Sequence, residues 1–213
     1  MTVIPTVPEP VEGQHDAASA RLLIVGPQGS GKGTQGVRIA EAYGVPVVST
    51  GDIFRANIKG GTELGAKVSE ITARGDLVPD ELTSEIVRDR LAEEDAANGF
   101  LLDGYPRNAV QVAHLDEFLA GRGEALDAVI LLDVPRDESI ERLRKRAEDQ
   151  GRDDDTEAAI AHRLDIYERE TAPILSVYGK RGIVDRIDGV GSFDEITERI
   201  SAALDARGLR VTV

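Results

Sequence analysis

Residues 26–34 read GPQGSGKGT, and they directly follow the apolar run at residues 22–25. The spacing of glycine and lysine, G-x-x-x-x-G-K, is typical of a loop that binds phosphate between a strand and a helix. Glycines let backbone N–H groups turn inward around an anion, and the N-terminus of the following helix adds the positive end of its dipole. Lys32 supplies a mobile positive charge for the outer phosphates. The stretch therefore predicts a phosphate-binding loop that opens the first helix of the domain.

Short apolar runs and longer amphipathic stretches alternate along the rest of the chain. Five runs have the character of buried strands, at residues 22–25, 45–48, 100–102, 129–132 and 183–184. Amphipathic helices are expected between them, among them residues 31–43, 80–94, 109–120 and 136–146. This alternation predicts a three-layer α/β/α domain, in which a five-stranded parallel sheet carries helices on both faces. Ligands of such sheets bind beyond the carboxyl ends of the strands.

Two stretches without strand patterns are expected to form small insertions over that edge of the sheet. Residues 49–78 have a helical pattern, and residues 145–155 form a short segment that is polar and acidic. Both are candidates for moving flaps. The domain is expected to span residues 21–208, between a disordered N-terminal tail at residues 1–20 and a C-terminal tail at residues 209–213.

Composition narrows the classes of function. The chain has 213 residues, a net charge of -14, three histidines and no cysteine. The lack of cysteine excludes disulfides and thiolate metal sites, and three scattered histidines do not predict a zinc site. The acidic balance argues against general nucleic-acid binding, although a few focused cations still hold polyphosphate on an acidic protein. No apolar run reaches the length of a membrane span and the start lacks the pattern of a secretory signal, so a cytoplasmic protein is expected.

Four motifs extend the pattern beyond the loop. They read GPQGSGKGTQ from residue 26, STGDIFR from residue 49, GDLVPDEL from residue 75 and NGFLLDGYPR from residue 98. Together they resemble the nucleoside monophosphate kinases, and most closely the short-lid adenylate kinases. The resemblance accounts for Gly33, which stands where many phosphate-binding loops have Ser or Thr. It implies a monomeric enzyme that transfers the γ-phosphoryl group of ATP to AMP, giving two ADP, with Mg2+ and without structural zinc. It also implies that residues 49–78 bind AMP and that residues 145–155 cover ATP.

The same resemblance assigns residues to each nucleotide. The implied ATP-binding residues are Gly29, Ser30, Gly31, Lys32, Gly33, Thr34, Arg142, Arg146 and Gly191. The implied AMP-binding residues are Thr50, Arg55, Asp76, Leu77, Val78, Gly104, Tyr105, Pro106, Arg107, Gln111, Arg152 and Arg163. The implied catalytic cations are Lys32, Arg107, Arg142, Arg146, Arg152 and Arg163. Several cations suit phosphoryl transfer because the charge of the moving group must be neutralised, and arginine binds phosphate through two parallel hydrogen bonds.

Asp103 ends the third predicted strand on the side of the phosphate-binding loop. A carboxylate there is suited to holding Mg2+ through water, because Mg2+ sheds its own waters reluctantly. Asp52 is a second candidate for this role. The alternative for Asp103 is a helix cap or a salt bridge to Lys32.

Three positions bear on the choice of nucleoside monophosphate. Gln111 offers a donor and an acceptor that match an adenine edge, and Thr50 is also of the kind found in adenine-specific relatives. Asn108 is instead typical of UMP/CMP kinases, where the adenylate type usually has Thr or Ser. AMP is favoured by two positions against one. A UMP/CMP kinase and a nucleotide-binding module without turnover remain the alternatives.

Overall fold

Five apolar runs form one parallel sheet. The computed structural model describes residues 20–150 and 156–211, without the side chains of residues 147–150, and within these ranges the strands are β1 Ala20–Val25, β2 Val47–Ser49, β3 Gly99–Asp103, β4 Ala128–Asp133 and β5 Val184–Asp188. Their order across the sheet is β2-β3-β1-β4-β5, and every neighbouring pair is parallel. The predicted α/β class with a five-stranded parallel sheet is confirmed.

Helices connect and flank these strands. Those of the described ranges are α1 Lys32–Tyr43, α2 Thr50–Lys59, α3 Glu63–Arg74, α4 Asp80–Leu91, α5 Ala109–Ala120, α6 Arg136–Gln150, α7 Glu157–Ile166, α8 Ile174–Lys180 and α9 Phe193–Ala206. A π-helical turn at Tyr167–Thr171 separates α7 from α8. No helix in this part of the chain combines the length and the apolar character that a membrane span requires.

The core consists of two apolar layers on opposite faces of the sheet. In β1, Leu23 and Val25 pack with residues of α4, α5 and α8, whereas Leu22 and Ile24 pack with residues of α1 and α9. Because successive side chains of a strand point to opposite faces, an unbroken apolar run is what a strand covered on both sides needs. The three layers follow from this pattern.

Residues 49–78, predicted to be an insertion, contain α2 and α3. The Ser49 hydroxyl caps α2 by accepting a hydrogen bond from the Asp52 N–H, and Thr62 caps α3 in the same way. The two helices have a small apolar cluster of their own around Phe54, Val68 and Val78. This unit therefore has little apolar contact with the sheet and lies over its carboxyl edge.

The packed part of the chain extends one residue beyond the predicted domain at each end. Ala20 begins β1, and Leu209 is buried in the α1–α9 layer, where its carbonyl oxygen accepts a hydrogen bond from the Tyr43 hydroxyl at 3.3 Å. Residues 1–19 of the predicted N-terminal tail, residues 151–155 of the predicted lid and residues 212–213 lie outside the described residues.

The Leu101→Ala variant is expected to lose about 3 kcal/mol of unfolding free energy. Leu101 in β3 is 0% exposed, so truncation leaves a cavity that the neighbouring strands cannot close. Urea unfolding followed by circular dichroism measures the loss. The matched change at the exposed Val211 is expected to cost less than about 0.5 kcal/mol. Equal losses in the two variants would contradict the assignment of Leu101 to the core.

Candidate active site

A cleft of about 1230 Å³ opens beyond the carboxyl ends of the strands. Its walls come from the loop after β1, from α2 and the end of α3, from the loop after β3, and from α6, α7 and the start of α9. Every predicted site residue in the described ranges lines this cleft except Tyr105. The Tyr105 side chain points into the core instead, where its hydroxyl donates to Ser84 Oγ at 2.9 Å. Arg152 lies outside the described residues.

The phosphate-binding loop wraps around the N-terminus of α1. Gly29 and Gly31 adopt φ angles of +84° and +94°, which other residues rarely do. At Gly29 a Cβ atom would lie 2.5 Å from the carbonyl oxygen of Ser139 in α6, so contact between the loop and α6 also excludes a side chain. The first N–H groups of a helix have no partner within it, and residues 32–34 at the start of α1 line the cleft, so this terminus is suited to binding an anion.

The ammonium group of Lys32 lies against this loop. Its Nζ atom donates to the carbonyl oxygens of Gly26 and Pro27, each at 2.8 Å. Loss of hydration lowers the pKa of Lys32 to about 8; the Asp103 carboxylate opposes this shift, and the nearby cations Arg107 and Arg146 add to it. A cation that is poorly solvated and surrounded by other cations gains strongly when a polyanion arrives.

The affinity for ATP is expected to fall as the pH rises through about 8. Lys32 is charged below its pKa of about 8 and becomes neutral above it in the free protein, whereas bound phosphates hold the proton on. The Kd for ATP should therefore rise about eight-fold between pH 7.5 and pH 9. Calorimetric titration measures it. The Lys32→Arg variant stays charged over this range and is expected to lack the rise; an equal rise in both proteins would assign it to another group.

Asp103, the last residue of β3, lines the cleft. In the sheet it pairs with Ile24 of β1 and Ser49 of β2, so the carboxylate stands where three strands end. Burial raises the pKa of Asp103, while Lys32 and Arg107 act to lower it. Its negative charge is therefore held between two cations in poorly hydrated surroundings.

The carbonyl oxygen of Gly104 anchors two predicted site residues. It accepts hydrogen bonds from the Thr50 hydroxyl at 3.0 Å and from Arg107 Nε at 2.7 Å. Gly104 has a φ of +81°, and a Cβ atom there would lie 2.8 Å from Thr50 Oγ1 and 3.0 Å from Arg107 Nη2. Only glycine lets the guanidinium lie this close to the strand end. Desolvation lowers the pKa of Arg107, opposed by Asp103 and assisted by Arg163 and Arg55.

Cations from five elements converge on the cleft. Those among the predicted site residues are Lys32 of α1, Arg55 of α2, Arg107 of the loop after β3, Arg142 and Arg146 of α6, and Arg163 of α7. Lys59 of α2 and Lys145 of α6 also line the cleft. Several of these side chains are held by the protein: Arg55 by Asp52 in the preceding turn, and Arg142 by Glu138 Oε1 at 2.7 Å and the Gly189 carbonyl oxygen at 3.1 Å. The sequence motifs predicted this convergence, although the cations are up to 131 residues apart in the chain, from 32 to 163.

Helix α7 contacts the end of α3 directly. Arg163 Nη2 donates to the Thr72 carbonyl oxygen at 2.8 Å, and His162 Nε2 lies 2.7 Å from Asp76 Oδ1. The hydrogen bond with His162, followed by that with Arg74, lowers the pKa of Asp76. The insertion and α7 thus close the cleft on one side. The family resemblance had implied Arg163 and Asp76 as site residues, whereas His162 belongs to none of the motifs.

Asn108 does not line the cleft. It caps α5, where its Oδ1 atom accepts the Gln111 N–H at 3.0 Å, and its Nδ2 atom donates to Asp80 Oδ1 at 2.9 Å. Gln111 itself is part of the cleft wall. The residue typical of pyrimidine kinases therefore stands behind Gln111, in contact with Asp80, another residue that sequence reasoning had not assigned to the site.

Other cleft residues carried no recognisable signal. Tyr167 and Thr171 reach the cleft from the π-helical turn, and Phe193 does so from the first residue of α9. Phe193 is 58% exposed, and the Arg38 guanidinium lies 5.9 Å from the centre of its ring. Within the described ranges, no cluster of three or more His, Asp or Glu side chains is arranged to hold a metal ion by itself.

Proteins of similar sequence identify the family of this chain. The family profile described as "Adenylate kinase" matches residues 24–183. A protein named adenylate kinase from Kocuria rhizophila is 58% identical over 185 residues, covering 87% of this chain and 98% of the relative. Another from Clavibacter michiganensis subsp. michiganensis is 58% identical over 190 residues, 89% of this chain and 95% of the relative. A third from Bifidobacterium longum is 56% identical over 185 residues, 87% of this chain and 100% of the relative. The chain belongs to the adenylate kinase family.

Proposed function

We propose that this protein catalyses the reversible transfer of the γ-phosphoryl group of ATP to AMP, giving two ADP. The observation that carries the proposal is the convergence of eight cations, six of them predicted site residues, from five elements on one cleft. One nucleotide on the loop after β1 needs only part of this set. The arginines of α2, of the loop after β3 and of α7 line the same cleft from other elements, and they are proposed to bind a second phosphate.

The two nucleotides follow from the two groups of cations. ATP phosphates lie on the phosphate-binding loop with Lys32, and the ATP base lies near Arg142 and Gly191. The AMP phosphate lies on Arg55 and Arg107, with its base along residues 76–78 and Gln111. Arginine forks on both phosphates fix the acceptor oxygen in line with the group to be transferred, which is most of what a phosphoryl-transfer enzyme must do.

Arg146 and Arg163 are proposed to face the moving phosphoryl group. The charge of this group spreads over three oxygens in the transition state, and fixed donors that already point at it need no reorganisation. AMP held on Arg55 and Arg107 places its own phosphate oxygen, rather than water, at the reacting position. The protein is therefore proposed to hold and orient the two nucleotides and to neutralise the moving phosphoryl group, without forming a covalent bond to it.

Mg2+ is proposed to accompany ATP, and the residues present fit it. Mg2+ prefers oxygen ligands, and the Asp103 carboxylate and the Thr34 hydroxyl both line the cleft beside the phosphate-binding loop. Burial raises the pKa of Asp103, and a divalent cation would relieve that unfavourable desolvation of its charge. Asp103 would hold the ion through water. When bound, Mg2+ neutralises part of the charge on the ATP phosphates.

AMP is proposed over UMP and CMP as the acceptor. Gln111 and Thr50 favoured adenine in the sequence, and Asn108 opposed it. What supports AMP is that Asn108 bonds to Asp80 and the start of α5 and is not among the cleft residues, so it has no contact with a base.

A steady-state assay of ATP with AMP, UMP, CMP and GMP tests the proposal. The expected result is ADP formation with a clear preference in kcat/KM for AMP. Two adenosines joined through five phosphates should bind tightly and inhibit, because one such molecule fills both sites. Binding of ATP without ADP production from any of the four acceptors would leave the protein a nucleotide-binding module. A preference for UMP or CMP would show that the acceptor is a pyrimidine nucleotide and would contradict the proposed specificity for AMP.

A further inference from the structure

The side-chain amide of Gln111 is held on both sides. Its Oε1 atom accepts the backbone N–H of Arg107 at 2.8 Å, and its Nε2 atom donates to Asp80 Oδ1 at 2.7 Å. The residue is 1% exposed and forms part of the cleft wall. One hydrogen of Nε2 and one lone pair of Oε1 remain for a ligand, because an amide has two donors and two acceptor sites.

The two contacts allow only one orientation of this amide. If the amide were turned over, Oε1 would face the carboxylate of Asp80, and Nε2 would face the Arg107 N–H. Acceptor would then meet acceptor and donor would meet donor, at a buried position where unmatched polar groups are costly. The hydrogen-bond chemistry therefore sets which atom of Gln111 is the donor.

Asp80 is itself fixed in place. It is the first residue of α4, and its Oδ1 atom also accepts Asn108 Nδ2 at 2.9 Å. Helices α4 and α5 share one apolar layer, so Asp80, Asn108 and Gln111 are carried by elements that pack on each other. The Tyr105 hydroxyl adds a link between the helices, since it donates to Ser84 Oγ of α4 and lies 3.2 Å from the backbone carbonyl oxygen of Gln111 in α5. Asp80 does not line the cleft and is connected to it by its hydrogen bond with Gln111, which does.

We propose that Asp80, supported by Asn108, locks the Gln111 amide in the orientation that selects a 6-aminopurine and rejects a 6-oxopurine. The proposal rests on the proposed function, which puts the AMP base at Gln111. Adenine presents an amino donor beside a ring-nitrogen acceptor, whereas hypoxanthine presents a carbonyl acceptor beside a ring N–H donor. With the phosphate held on Arg55 and Arg107, the base cannot turn over to exchange these groups. An amide held in one orientation matches the donor and acceptor of only one of these bases. An amide that can turn over matches both.

The Asp80→Asn variant tests the lock, with AMP and IMP as the two acceptors. Asparagine has the same shape, but its neutral amide presents either oxygen or NH2 to Gln111, so the acceptor–acceptor repulsion that opposes the turn is lost. The ratio of kcat/KM for AMP to that for IMP is expected to fall about ten-fold, with most of the change in the two KM values. Glu81→Gln is the matched control: it removes the same charge from the same helical turn at an exposed side chain and is expected to leave the ratio unchanged.

Two further measurements separate a lock from a structural effect. In a Gln111→Ala background, Asp80→Asn is expected to have no further effect on the AMP/IMP ratio, because Asp80 acts through Gln111. Calorimetric Kd values for AMP and IMP report the same selectivity without turnover, so a wild-type protein that binds AMP but makes no ADP would contradict the proposed function and still test the lock. The proposed lock would be overturned if the Asp80→Asn variant, with native circular dichroism, kept an AMP/IMP ratio of kcat/KM within about two-fold of the wild type.

Discussion

The Lys32→Met variant is expected to form ADP about a thousand-fold more slowly than the wild type at saturating ATP and AMP. Lys32 is the only cation of the cleft that lies on the phosphate-binding loop within the described ranges, and its ammonium is held there by two loop carbonyl oxygens. Removing one fixed charge from a water-poor phosphoryl-transfer site costs about two to five orders of magnitude in kcat. A coupled spectrophotometric assay of ADP formation measures the change.

Unfolding should not be the cause of this loss. The pKa of Lys32 in the folded protein, about 8, lies below its unfolded value, so below pH 8 the unfolded chain binds the proton more readily and the charged lysine opposes folding. Methionine removes that penalty, and the Tm of the ligand-free variant at pH 7 is expected to stay the same or rise. Lys180→Met, at an exposed site in the last turn of α8, is the control and should retain wild-type turnover. Near-normal turnover in Lys32→Met would remove Lys32 from the mechanism.

How well the sheet could be predicted depended on how each strand is covered. The runs that became β1, β3 and β4 are apolar throughout because helices cover both faces, and their positions were predicted to within a few residues. Strand β5 lies at the edge, and its polar residues Asp185 and Arg186 pair with Arg207 and Asp133 rather than with the core. Of the residues in β5, only Val184 therefore belongs to the apolar run expected at 183–184. Strand β2 begins after Pro46 because proline has no N–H for the sheet.

The candidate site divides in the same way. The glycines of the phosphate-binding loop and the arginines of the motifs could be predicted, because binding phosphate requires particular residue types at fixed spacings. The partner of Gln111 was not visible, since Asp80 lies 31 residues away and any helix start favours an acidic residue. Asn108 was misleading for a related reason. An asparagine that caps a helix and an asparagine that contacts a base look the same in the sequence. Only the packing of α4 on α5 distinguishes them.

The Arg107→Ala variant is expected to lower kcat/KM for AMP about a thousand-fold while the KM for ATP changes little. Arg107 lines the cleft and its Nε atom donates to the Gly104 carbonyl oxygen, so the direction of its guanidinium is fixed before AMP binds. Alanine removes both the charge and this fixed direction. Initial rates with AMP varied at saturating ATP measure the effect, and the exposed Arg88→Ala of α4 serves as the control that should leave it unchanged.

Arg107→Lys separates the two contributions. Lysine keeps the charge but lacks the planar fork and the donor to Gly104, so a recovery of only about ten-fold over alanine is expected if geometry dominates. Full recovery by lysine would mean that any nearby cation suffices and that the anchoring at Gly104 has no part in catalysis. A KM for ATP that rises as much as that for AMP would place Arg107 between the two nucleotides instead. In both variants the backbone N–H of residue 107 can still donate to Gln111, so the contact of Gln111 with the base is preserved. The change in kcat/KM therefore reports on the contact with the AMP phosphate.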